Sequence, residues 1–242
     1  EKLVVTSAGK PSVSATATFT TIAVVSDNLL VDEDTNLKGD GKTPSDSAPY
    51  YKAAMDANGK SYGYWDLTAN PDLPQSYLSA HKNVVWWTGN SYPGPVTPYE
   101  SELASFLDGG GRLMMSGQDL LDQAAGTTAF VKKYLHVTWD GTDVQNDKET
   151  ATVTAVPTNP VTTGLGTLPL DHNVLGATFE DQITPIDPAV AAFKDDTGAT
   201  DALTVQAGAY KVFFAAFPVE AFGSPADKAK LVGNTLGWFG TP

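Results

Sequence analysis

The chain contains no cysteine, which excludes disulfides, thiolate metal sites and a cysteine nucleophile together. Histidine is almost as scarce: three residues in 242, so any histidine-dependent chemistry has only His81, His136 and His172 to draw on. Basic residues are few as well. Lys and Arg number 15 against 28 Asp and Glu, a net charge of −13 that repels phosphate backbones and anionic lipid surfaces. Nucleic acid and membrane surface are therefore not expected partners. No apolar run reaches 18 residues, so no membrane insertion is expected. No secretory leader opens the chain, and its abrupt strand-like start, KLVVTS, reads as that of a piece of a longer protein.

What is present is a globular composition. The apolar share of 41% suffices for a conventional core, in one large domain or a domain with an appendage. Abundant Thr, Ser, Gly, Ala and Asp beside little Lys and Arg is the composition of secreted or surface bacterial proteins, and an extracellular or cell-surface location is expected on that association.

Residues 1–25 stand apart from the rest. KLVVTS, the turn AGKP and SVSATATFTTIAVV, with Val13, Ala15, Ala17 and Phe19 alternating with Ser and Thr, predict a β-hairpin with one apolar face. Two strands alone are marginal in water, so the hairpin is expected to lie on something, as a remnant of an immunoglobulin-like module or a docking element. Residues 26–242 are expected to form the main domain. Its short apolar runs NLLVD, SYGYWD, NVVWW and RLMMS alternate with amphipathic stretches, which indicates βαβ units. The fold class expected is α/β, a doubly wound, mostly parallel sheet. In the first helical stretch Tyr51, Ala54, Met55 and Asn58 share a face and Gly59 ends it, while Thr97 and Pro98 open the second as N-cap and first residue. Beyond residue 140 the strand-like ETATVTAV, VAAFKDD and ALTVQAGAYKVFFAAFP predict an antiparallel extension. Ser224 and Pro225 then begin a closing helix with Leu231, Leu236, Trp238 and Phe239 facing inward.

The ordered segments NLLVDED, YYKAAMDANGKSYGYWD, VVWWTGN, FLDGGGRLMMSGQDL, KYLHV and YKVFFAAFPVEAF with LVGNTLGWFG resemble the class I glutamine amidotransferase-like, flavodoxin-like fold over roughly residues 27–240. More narrowly they look like the degenerate version carried by secreted bacterial peptidases and other multidomain surface proteins. Active members carry G-x-C-x-G-x-Q at the nucleophile and H-P-E after a late strand. Aligned on Gly117, the cysteine position here is Met115 and the glutamine position Asp119; a shift of one puts Ser116 at the cysteine and loses the glycine. At the other end Phe217, Pro218, Val219 and Glu220 keep the glutamate and replace the histidine with proline. The resemblance thus implies a lost triad.

Ser116 remains a candidate nucleophile only if a base reaches it. His81 precedes a strand at the amino edge of the sheet, His136 follows a helix, and His172 alone lies in a stretch that can reach the carboxyl edge; the alternative catalytic set is Ser116, His172 and Glu220. The loop DEDTNLKGDG offers Asp32, Asp34, Asn36 and Asp40 at the spacing of an early calcium loop, although Thr43 stands where a bidentate glutamate belongs and Leu37 where glycine belongs. Calcium or another hard cation is what this loop would hold; the other reading is a solvated acidic loop whose Asp32 caps the following turn. Asp32 and Asp34 also lie at the edge predicted for Glu220 and Asp119, so a carboxylate cluster is a further arrangement. DGGGR enters a strand instead of leaving one for a helix, so it is a turn and not a phosphate loop. Among the aromatics, Tyr92 and Tyr99 fall in a Pro/Gly loop over the expected site and are candidate binding residues, with Asp119.

The expected function is a non-catalytic structural or interaction module of a secreted or surface protein that packs on neighbouring domains or identical subunits. The alternatives are a hydrolase using Ser116 or a carboxylate/metal site near Asp32, and a carbohydrate- or peptide-binding module.

Overall fold

The computed structural model describes residues 2–10, 12–18, 23–24, 26–92, 94–122, 127–141, 143–144, 151–176 and 179–240. The expectations placed on Phe19, on residues 20–22 and 25, and on the first residues of ETATVTAV lie outside the described residues.

Strands β1 (Lys2–Thr6) and β2 (Ser14–Thr18) pair antiparallel in a sheet of their own. Val4, Val5 and Val13 are each more than half exposed. The main body runs β3 (Asn28–Asp32), α1 (Ala48–Ala57), β4 (Gly63–Asp66), α2 (Gln75–Leu78), β5 (Asn83–Trp87), α3 (Glu100–Asp108) and β6 (Arg112–Ser116). After a wide helical turn, Val131–Leu135, come the two-residue strands β7 (Val137–Thr138) and β8 (Asp143–Val144), then β9 (Thr152–Ala155) and β10 (Thr167–Pro169). The short β11 (Glu180–Asp181) and β12 (Thr184–Pro185) pair with β8 and β7. The chain closes with β13 (Val190–Lys194), β14 (Thr200–Ala207), β15 (Tyr210–Ala215) and α4 (Pro225–Phe239).

Nine strands form one sheet in the order β10-β9-β13-β14-β15-β6-β5-β3-β4. The sheet is mixed. The pairs from β15 through β6, β5 and β3 to β4 are parallel, and those from β15 out to β10 are antiparallel, so the expected antiparallel extension is half of the sheet and the description "mostly parallel" does not hold. The physical reason is local: β13, β14 and β15 follow one another through tight glycine turns that leave no length for a crossover helix.

Period-two alternation along the central strands splits the core into two layers. Val31, Trp86, Met115 and Phe214 pack with Leu103, Phe106 and Leu107 of α3 and Leu78 of α2. Leu30, Val85, Met114 and Phe213 pack instead with Tyr51, Ala54 and Met55 of α1 and Leu231, Val232 and Phe239 of α4. Helices therefore cover both faces, which is why these strands read as continuous apolar runs.

Helix ends follow the expected chemistry in part. Ser224 caps α4 in a reciprocal box, its hydroxyl accepting from the Asp227 N–H while the Asp227 side chain accepts from the Ser224 N–H, with Pro225 at the first position. Thr97 is not the cap of α3; it opens a single 3₁₀ turn, Thr97–Tyr99, and the α-helix begins at Glu100, with Glu100 and Glu102 in its first turn. Pro98 fits that turn because its missing N–H has no helical partner there.

Replacing Ser224 by Ala removes a cap whose hydroxyl and partner are otherwise exposed. Urea denaturation is expected to show a loss of about 1 kcal/mol at unchanged m-value.

Candidate functional site

The parallel register sets Asp32, Trp87, Ser116 and Ala215 in one row across the ends of β3, β5, β6 and β15. The loops leaving that row carry the polar residues of the carboxyl edge. Two glycines let them approach closely. A Cβ on Gly117 would lie 1.8 Å from the Thr88 hydroxyl oxygen, and one on Gly89, at φ +55°, would lie 2.4 Å from the Asp34 carboxyl carbon.

Ser116 is fully buried, and its hydroxyl is occupied. The oxygen accepts the Val219 N–H at 2.9 Å, the Phe217 carbonyl stands 3.1 Å away as acceptor, and the Tyr51 hydroxyl lies at 3.2 Å. Ser116 thereby clips the turn around Pro218 onto the end of β6. The two backbone groups cannot take a proton, and burial, with the Glu220 charge beside it, keeps the Tyr51 hydroxyl protonated, so none of the three serves as a base. The strand-to-helix elbow of a nucleophile is not formed either, since no helix follows β6 within the described residues 117–122.

Behind Ser116 lies a closed acidic network. Glu220, which has no exposure, accepts the Tyr51 hydroxyl at 2.7 Å on Oε2, and the Ser47 hydroxyl lies 3.2 Å from Oε1. Ser47 also lies 2.7 Å from Oδ2 of buried Asp34, which receives the Ser47 N–H at 3.3 Å. One hydroxyl hydrogen on Ser47 cannot serve two carboxylates, so the arrangement favours a proton on one of the two acids, which can then donate to the Ser47 oxygen. Both carboxyls are pushed up chiefly by burial: Glu220 to about 7, with the Asp34 charge adding to it, and Asp34 with the Asp46 charge adding to it. The Tyr51 ring stacks on Trp87 with centroids 4.2 Å apart, which fixes the hydroxyl that joins Ser116 to Glu220.

The acidic loop is engaged with its own backbone. Asp32 accepts the Asp34 N–H at 3.0 Å and the Tyr64 hydroxyl at 2.7 Å, and burial raises it to about 6. Asp34 accepts the Asn36 N–H at 3.0 Å, and Asn36 itself turns through φ +58°. Asp40 sits farther out, exposed, accepting the N–H groups of Lys42 and Thr43. Among the described residues no group of three or more His, Cys, Asp or Glu is arranged to hold a metal ion. Glu33 lies nearby with its carboxylate on the Trp86 indole N–H at 2.6 Å, and burial lifts it to about 8.

The remaining candidates scatter. The His172 ring lies 3.4 Å from Glu180, and is not among the partners of the Ser116 hydroxyl. His81 is buried at the amino edge with Nδ1 on the Tyr77 carbonyl, and His136 holds the Tyr210 hydroxyl and the Asp187 carbonyl. Tyr92 is 64% exposed, whereas Tyr99 packs on Trp86 and donates to the Pro71 carbonyl at 3.1 Å. Asp119, at φ +54°, is held through its N–H on the Phe179 carbonyl at 3.3 Å. The residues that sequence reasoning missed are Ser47 and Tyr51. Tyr51 reads as one more apolar position of α1, and the available signal is a hydroxyl on an otherwise Ala/Met face.

No family model matches the chain, and no curated protein matches its sequence. Solved structures match its fold. Cytoplasmic Protein STM1381 from Salmonella typhimurium LT2 aligns with TM-score 0.63 and 13% identity over 88% of this chain and 99% of its own. A GMP-synthase-like protein from Thermoplasma acidophilum aligns with TM-score 0.57 and 11% identity over 90% and 96%. An exo-β-1,4-mannosidase from an Opitutaceae bacterium aligns with TM-score 0.51 and 14% identity over 88% of this chain, which spans only 34% of that enzyme. At these identities the likeness shows the fold alone, one related to the class I glutamine amidotransferase fold. No helix among the described residues is long and apolar enough to cross a membrane.

Glu220 binds its proton more tightly folded than unfolded, where its ordinary value is near 4.5. The folded state therefore holds the extra proton between pH 4.5 and 7; stability is fully present below that window and falls as pH rises through it. Its share corresponds to about 3 kcal/mol at most. Denaturation of the Glu220→Gln variant between pH 5 and 8 is expected to show a shallower decline than the parent, and equal slopes would remove the assignment. Tyr51→Phe leaves Oε2 without its donor and is expected to lose about 1–3 kcal/mol.

Proposed function

We propose that this chain is a non-catalytic interaction module, built on a doubly wound amidotransferase-like fold whose catalytic residues have been replaced, and that it serves a secreted or cell-surface protein. The observation that carries this reading is the Ser116 hydroxyl: it is buried, bonded to the turn after β15, and has no base among its partners. The position of a nucleophile has become a structural staple. Met115 is an ordinary core residue beside it, and Pro218 stands in the turn that Ser116 holds.

Two further observations support the reading. The β1–β2 hairpin displays Val4 on one face and Val5 on the other to solvent, with Val13 exposed beside them, and a two-stranded ribbon with uncovered apolar side chains gains stability by lying on a neighbour. In the exo-mannosidase the similar segment is about a third of a longer chain, so the fold is used there as one part among others. The partners proposed are adjacent domains or identical subunits, with the hairpin as the docking element.

Two experiments test this reading. Native chain exposed to a fluorophosphonate serine probe should leave Ser116 unlabelled; stoichiometric labelling there would revive the hydrolase. Deletion of residues 1–21 should lower the assembly state seen by light scattering or lower the melting temperature, and if both stay as in the parent the docking role is lost.

A further inference from the structure

At the carboxyl edge the segment 179–183 crosses the ends of β14 and β15. Two backbone bonds seat it there: the Asp181 N–H on the Ala216 carbonyl at 3.3 Å and the Ile183 N–H on the Thr200 carbonyl at 2.9 Å. The segment also holds the loop that begins directly after Ser116. The Phe179 carbonyl accepts the Asp119 N–H at 3.3 Å, and Oδ2 of Asp181 accepts the Leu121 N–H at 3.2 Å. Residues 179–183 are thus a strap over the end of the sheet.

Asp201, the second residue of β14, lies where the strap crosses. It is 1% exposed, and both of its carboxyl oxygens are buried without a hydrogen-bond partner. Alternation along β14 puts its side chain on the face of Leu203, in the layer that also contains Ile183 and Ala216. The charged groups that face it carry its own sign: Glu180 from the strap, then Asp195 and Asp196 from the turn before β14. The other acids nearby are engaged. Asp195 accepts the Thr197 and Ala199 N–H groups and the Gln182 amide, and Asp196 accepts the Ala151 N–H and the Thr152 hydroxyl. His172, from the stretch after β10, stands 3.4 Å from Glu180, and exposed Lys194 at the end of β13 makes no ion pair with Asp201.

A carboxylate without donors among like charges is not tolerated in such a setting, so the closed arrangement requires the neutral acid. Burial, with the Glu180 charge next, pushes the Asp201 carboxyl well above the usual range. Ionisation in place would set an uncompensated charge beside Glu180, and hydrating it needs an opening. β14 cannot move away, because it is laddered to β13 on one side and β15 on the other, whereas the strap is seated on the sheet by two backbone bonds. We propose that Asp201 is a proton-operated latch: while its carboxyl is protonated the strap lies closed on the end of β14, and loss of the proton opens the strap and frees the loop after β6.

Hydrogen exchange of the whole chain, read by mass spectrometry on peptides covering 179–183 and 117–122 and expressed against the intrinsic amide rate at each pH, tests the latch. The closed form holds a proton that the open form gives up near the ordinary value of 3.8. Protection is therefore full below that range and is lost as pH rises toward the raised value. In the parent both peptides are expected to lose protection by up to about tenfold per pH unit between about pH 5 and pH 7, while a β5 peptide keeps its own. Asn keeps the shape of Asp and cannot ionise, so Asp201→Asn should hold strap protection within about twofold over that range, and Glu220→Gln should keep the parent's slope. Parent protection that stays level, a slope equal in Asp201→Asn, a slope abolished by Glu220→Gln, or one shared by β5 overturns the proposal. The first and last of these are read on the parent alone, so the test stands where a variant does not fold.

Discussion

The burial of the Glu220 carboxyl is the constraint on which the rest of the carboxyl edge depends. A carboxyl with no exposure is tolerated only when its oxygens are satisfied, and the donors come from distant parts of the chain: Tyr51 from the first turns of α1 and Ser47 from the residue before it. Satisfying Glu220 therefore docks α1 against the turn after β15. Through Ser47 the same requirement draws Asp34 inward and ties the loop after β3. Three chain crossings are fixed by one acid, and each linking group is short or ring-stacked, so little rotational freedom remains to be lost when the bonds form.

Register converts that local requirement into architecture. Because β3, β5, β6 and β15 are parallel and aligned residue for residue, what the chain places at the end of one strand meets what it places at the ends of its neighbours. Ser116 can staple Val219 only because Met115 and Phe214 sit opposite each other one residue earlier. The close passages at Gly117 and Gly89 follow from the same crowding: the hydroxyl of Thr88 and the carboxyl of Asp34 occupy the volume a side chain would need. A substitution at either glycine would move the polar network and not only a loop.

Legibility in the sequence followed the range of the physics. The α/β class, the central strands, α1, the capped α4 and the hairpin pairing all rest on periodicity or on contacts within a few residues, and they read directly. The balance of parallel and antiparallel pairs did not, because pairing partners are decided by tertiary packing while a buried strand looks alike in both. The candidate site was legible in its addresses and not in its wiring. Asp32, Asp34, Ser116 and Glu220 do gather at the carboxyl edge, but Tyr51 supplies the link, and a tyrosine at a helical apolar position gives no sign that its hydroxyl points at a carboxylate 169 positions away. Likewise nothing in the spacing of the acidic loop reveals that its carboxylates turn back onto their own N–H groups.

The helices run against the strands, and this sets opposite electrostatic characters at the two edges. At the carboxyl edge α1 presents its N-terminus, and the Ser47 N–H at that end points to Asp34, so carboxylates collect where backbone donors are free. At the amino edge α2 and α3 present their C-termini, which favours cations, and His81, Lys82 and Arg112 are found there. Each acid of the Asp34–Glu220 pair has donors from the chain itself, and at the other edge the carbonyls that end α2 and α3 accept the N–H groups of the glycine turn and of His81. The closure is not general to the chain's buried acids: both carboxyl oxygens of Asp201 are buried without a hydrogen-bond partner, and burial, with the Glu180 charge next, pushes that carboxyl well above the usual range.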